Sequence, residues 1–73
     1  MKAQIEDFKT GWYGIFLALD HSELERLISL LKKLDAGELE HFHYTSKYEG
    51  NGGIGDIEIS LKDSNEIDNL TLG

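Results

Sequence analysis

What most limits the fold of this chain is one amphipathic segment near its middle, with no second segment that could pair with it as a helix. Asp20 followed three residues later by Glu23 spells a capping box around His21-Ser22. Leu24, Leu27, Ile28, Leu31 and Leu34 then recur at helical spacing as a single apolar stripe. Glu25, Arg26, Ser29, Lys32 and Lys33 take the other side, with Glu23 and Glu25 early and the lysines late, as the helix dipole favours. Gly37, after Asp35-Ala36, is a stop signal. The spacing predicts a helix from Ser22 to Asp35. A lone helix must bury its stripe against another layer, and here that layer is predicted to be a sheet.

The flanking runs have strand character. Ala3 to Phe8 and Trp12 to Leu19 are separated by Lys9-Thr10-Gly11, which reads as a hairpin turn. After the helix, Leu39 to Lys47 alternates, with Phe42 and Tyr44 on one side and His41, His43 and Thr45 on the other. Glu49-Gly50-Asn51-Gly52-Gly53 forms a loop. Ile54 to Lys62 then sets Ile57, Ile59 and Leu61 against Asp56, Glu58 and Ser60. Asn69 to Leu72 could add a short edge strand. The expected fold is a single α+β domain over residues 1–73, with one helix on a four- to five-stranded, mainly antiparallel sheet in the order ββαββ(β). The helix stripe is expected to meet Tyr13, Ile15, Leu17, Leu19, Phe42, Tyr44, Ile57, Ile59 and Leu61.

Charge narrows the partners. Fourteen acidic residues against seven Lys and Arg give a net charge of −7, which argues against nucleic acid or an anionic membrane as partner. With no cysteine there is no disulfide framework and no thiolate metal site, and a cytoplasmic setting is expected. No apolar run approaches the roughly 18 residues of a membrane span, and Met1-Lys2-Ala3 leads into Gln4-Ile5-Glu6-Asp7 rather than a leader. No enzyme is expected. None of the serines sits in a G-x-S-x-G elbow. A single thin core layer also leaves little room for the pocket of about 300–1,000 Å³ that small-molecule sites use.

One helix covers one sheet face, so the opposite face is where an interaction site is expected. Alternation assigns Trp12, Phe16, His41, His43, Asp56 and Glu58 to it, an aromatic and histidine patch beside an acidic row. Trp12 and Phe16 would anchor a partner and the other four would supply polar contacts. The plainer reading places Trp12 at a strand end, with Phe16 under the glycine-rich loop or the C-terminal segment. His41-x-His43 can grip one metal ion with Asp56 or Glu58 as a third ligand, but such pairs are common in strands as polar, solvent-facing residues, and no metal or cofactor is expected. The glycine-rich stretch Gly50-Asn51-Gly52-Gly53-Ile54-Gly55 leads into a strand rather than a helix, so it is not a phosphate-binding loop.

The stretch from His41-Phe42-His43-Tyr44 through Gly50-Asn51-Gly52-Gly53 to Asp56-Ile57-Glu58-Ile59, about a quarter of the chain, resembles small bacterial immunity proteins of polymorphic toxin systems. The resemblance implies a stoichiometric, non-catalytic inhibitor that occludes a toxin, and the acidic charge by itself points to a basic protein partner. Three other readings stay open: a metal- or small-ligand-binding protein centred on His41 and His43, a homodimer that uses the same face, and a mimic of DNA.

Overall fold

The computed structural model describes residues 1–73. Its elements run β1 (Lys2–Asp7), β2 (Tyr13–Ala18), α1 (His21–Asp35), β3 (His41–Thr45) and β4 (Asp56–Ser60). The expected α+β class, the single helix and the order ββαββ are all present. The expectation of one four- to five-stranded sheet is corrected. β1 pairs only with β2 and β3 only with β4, each pair antiparallel, giving two separate two-stranded sheets. Residues 69–72 form no fifth strand. Each hairpin pairs strands adjacent in sequence, and no edge pairing joins the two across the helix. Alternation along a strand sets which face is apolar, not which edges meet.

The helix forms for the local reasons its sequence announces. Asp20 caps it, its Oδ1 accepting from the Glu23 N–H at 2.8 Å, while Glu23 Oε1 accepts from the Asp20 N–H at 3.0 Å. At the far end the Ala36 N–H donates to the Lys32 carbonyl at 2.9 Å and Gly37 follows with φ +77°. The buried stripe differs in phase from the one expected. Leu34 is buried and Leu27 and Leu30 are half-buried, whereas Leu24, Ile28 and Leu31 are exposed. Leucines at 27, 30 and 34 stack on successive turns, so the helix carries two apolar ridges and packs only one.

The packed ridge faces β3: Leu27, Leu30, His43 and Tyr44 line the groove between them. In the β3–β4 hairpin Phe42 sits opposite Ile59 and Tyr44 opposite Ile57, and the Phe42 and Tyr44 rings meet edge to face at 5.9 Å. Leu34 and Phe42 are the two buried residues of the chain. Burial also raises the Tyr44 hydroxyl pKa above the usual phenol range.

The β1–β2 hairpin is attached at one end. Ala3 and Leu17, paired in the ladder, meet Tyr44, Ile54 and Ile57 across a groove of about 260 Å³. Toward the turn the cover falls away. Exposure rises from 40% at Leu17 to 63% at Ile15 and Tyr13 and 75% at Trp12. The expectation that Tyr13, Ile15 and Leu17 lie beneath the helix is therefore corrected, and only the Leu17 end of the ribbon reaches the core. Lys9 and Gly11 take positive φ in its turn, and the Phe8 N–H closes the turn on the Trp12 carbonyl at 3.1 Å.

The result is an open molecule. Its radius of gyration is 14.3 Å, against about 11 Å for a compact chain of this length. Its accessible surface is 6706 Å², about 2,200 Å² more than the roughly 4,500 Å² that a folded monomer of 8.2 kDa exposes.

Candidate functional site

Two surface features stand out, one on each hairpin. On the β1–β2 ribbon, alternation puts Gln4, Glu6, Gly14 and Phe16 on one side and Ala3, Ile5, Ile15 and Leu17 on the other. Both sides carry exposed apolar residues. Ile5, Tyr13 and Ile15 crowd one, and Phe16, 58% exposed, stands on the other. Phe8, 50% exposed, lays its ring against Gly14, where an added Cβ would come within 2.8 Å of the ring's Cζ. Phe8, Trp12 and Phe16 thus give one short ribbon three exposed aromatics. Nothing in the sequence alone singles out Phe8. The signal was its place across the turn from Trp12, legible only once the hairpin register is known.

The second feature is a polar cluster on β3 and β4. His41 and His43 share one side of β3 by strand alternation, with Glu58 directly opposite His43 in the register and Asp56 one pair further on. His43 Nδ1 lies 3.0 Å from both Asp56 carboxylate oxygens, and its Nε2 lies 3.4 Å from Glu58 Oε1. The Thr45 hydroxyl also donates to Asp56, at 3.4 Å. The His41 and His43 rings meet edge to face with centroids 5.0 Å apart. All four ionisable residues are exposed.

Of the six residues expected to share one surface, the structure therefore brings His41, His43, Asp56 and Glu58 together and sets Trp12 and Phe16 on the other hairpin. The two groups do not belong to one sheet. Neither aromatic is covered by the glycine-rich loop or by the C-terminal segment, because both stay largely exposed. That loop carries its own local order. The Ser46 N–H closes it on the Gly55 carbonyl at 2.9 Å, and the Tyr48 ring packs against Gly55.

At the start of α1, the Glu23 N–H and then the Ser22 hydroxyl, both donating to the Asp20 carboxylate, hold it below the usual carboxylate range. The Asp20 N–H does the same for Glu23, helped by the Met1 amine. No helix is long and apolar enough to cross a membrane. No family model matches the chain, and neither a curated protein nor a solved structure does so.

Proposed function

We propose that the chain is a non-catalytic protein-interaction module that docks a basic protein through its β1–β2 ribbon, as an inhibitor of the immunity type would. The observation that carries this reading is the exposure of Phe8, Trp12, Tyr13, Ile15 and Phe16 on one ribbon, part of a surplus of about 2,200 Å² over a compact monomer that the ribbon shares with the C-terminal segment. A standard interface buries about 800 Å² per partner, so a binding protein docked on the ribbon would cover about a third of the surplus. Exposed Trp, Tyr and Phe are the residue types that anchor such interfaces. A net charge of −7 favours a basic partner and opposes a second copy of the same chain, which would bring another −7.

Trp12 is the only tryptophan, and its exposure makes it a built-in reporter. Titration with a basic partner protein is expected to blue-shift its emission, saturate at one to one and weaken as salt is raised. Phe8→Ala and Phe16→Ala should each weaken binding at least tenfold, as anchors do. An unchanged emission spectrum, or binding that is indifferent to both substitutions, removes the reading.

A further inference from the structure

We propose that His41, His43 and Glu58 form a zinc-binding site on the β3–β4 hairpin, with Asp56 holding the His43 ring in the ligating orientation. One imidazole nitrogen from each histidine and one Glu58 carboxylate oxygen already lie within 4.8 Å of one another. In a tetrahedral zinc site with bonds of about 2.0–2.1 Å, ligand atoms sit about 3.3 Å apart. His43 Nε2 and Glu58 Oε1, at 3.4 Å, are at that spacing already. Only His41 has to close in, by turning an exposed side chain.

The hydrogen bonds of His43 add chemistry to the geometry. Its Nδ1 lies 3.0 Å from both Asp56 oxygens, so Nδ1 carries a proton and donates it to the carboxylate. In the tautomer that carries the proton on Nδ1, Nε2 faces the Glu58 oxygen as a second acceptor. Two acceptors 3.4 Å apart repel unless a cation, either a proton or a metal ion, stands between them. A carboxylate on the distal nitrogen of a ligating histidine is the usual outer partner in metal sites, fixing the tautomer and raising ligand basicity. The β3–β4 register supplies both carboxylates, Glu58 directly opposite His43 and Asp56 opposite Thr45.

The donor set selects the metal class. Two imidazoles and one carboxylate suit zinc over magnesium or calcium, which take oxygen ligands. Three protein ligands leave the fourth position to water.

Zn²⁺ alone is the probe, read by calorimetry and by the imidazole carbon-bound proton resonances of the full chain. The expected result is one saturable site at submillimolar zinc, with the His41 and His43 resonances shifting and that of His21 unmoved. His41→Ala, His43→Ala and Glu58→Gln should each lower affinity at least tenfold, and Asp56→Asn about 10–100-fold. A large excess of Mg²⁺ should not displace the zinc. These positions are exposed, and circular dichroism should show that each variant keeps its helix. The proposal is overturned by no saturable signal up to about 1 mM zinc, by variants that bind as the parent does, or by equal competition from Mg²⁺, which would mark scattered carboxylates as the binders. Because the site lies on β3–β4, its failure leaves ribbon docking standing, and zinc binding unaffected by Phe16→Ala separates the two in the other direction.

Discussion

The Phe8 ring rests against Gly14 on the neighbouring strand, so close that a Cβ at position 14 would lie 2.8 Å from the ring's tip. Tyr48 covers Gly55 in the same manner at the other hairpin. In each hairpin a glycine leaves the backbone open and an aromatic ring fills the gap, the pairing that rescues strand glycines.

Gly14→Ala should therefore expel the Phe8 ring into solvent instead of gaining from alanine's better strand propensity. The expected cost is about 0.5–1 kcal/mol, the scale of a cross-strand pair. The same change in a Phe8→Ala background should cost nothing. The ring's departure should be visible directly, because the upfield shift it imposes on the Gly14 α-protons would disappear. A Gly14→Ala variant that keeps the Phe8 ring shift contradicts the contact.

Acid should loosen the helix from its N-terminus. The Asp20 and Glu23 carboxylates are held below the usual range by hydrogen bonds that exist only in the folded capping box. Groups whose pKa is depressed on folding stabilise the fold above the unfolded carboxylate range, near pH 4, and lose that contribution as pH falls through the folded values. Helical circular dichroism should thus decline below about pH 4. Asp20→Asn keeps a good capping residue but removes one titration, so its acid profile should be flatter than the parent's. Identical profiles would show that the capping carboxylate is not the acid-sensitive group.

The two apolar ridges of the helix should differ in what they contribute. Leu34 is buried and Leu31 exposed, although both fit the same heptad-like stripe in the sequence. Leu34→Ala should cost on the order of 2–4 kcal/mol, enough to unfold much of a chain this open. Leu31→Ala should shift the urea midpoint little, as surface changes do. Comparable losses at both positions would mean that the Leu24, Ile28 and Leu31 ridge is also covered in solution.

Local structure was legible in this sequence because local signals produce it. Asp20 and Glu23 announced the helix start, Lys9-Thr10-Gly11 the first turn, and the alternation from Phe42 to Tyr44 the buried side of β3. What escaped was every relationship decided across the helix. Leu27, Leu30 and Leu34 point inward, whereas the stripe read from sequence left out Leu30 and included Leu24, Ile28 and Leu31. A broad apolar band has several usable phases, and packing chooses among them. Alternation groups Trp12 and Phe16 with His41 and His43 only if the sheet is continuous. Once the hairpins stand apart, the aromatic and polar groups separate with them. The His41, His43, Asp56 and Glu58 cluster was legible because it depends only on strand alternation and one hairpin register.

Amide exchange should distinguish the two hairpins. An isolated two-stranded ribbon is at best marginally stable in water, and the β1–β2 ladder has core contact only at its Ala3 and Leu17 end. Its amides from Ile5 to Ile15 should exchange close to the rate of an unstructured chain, while those of Phe42 and Ile59, beside the core, should exchange more slowly. Adding the basic partner should slow the ribbon selectively, because docking removes the fraying route. Dilution supplies the control. Ribbon protection that exists without partner and fades as the protein is diluted would identify the cover as a second copy of this chain, against the repulsion of two charges of −7. Ribbon amides that stay fast at every concentration and slow only with partner are the outcome expected of a surface built for a foreign protein.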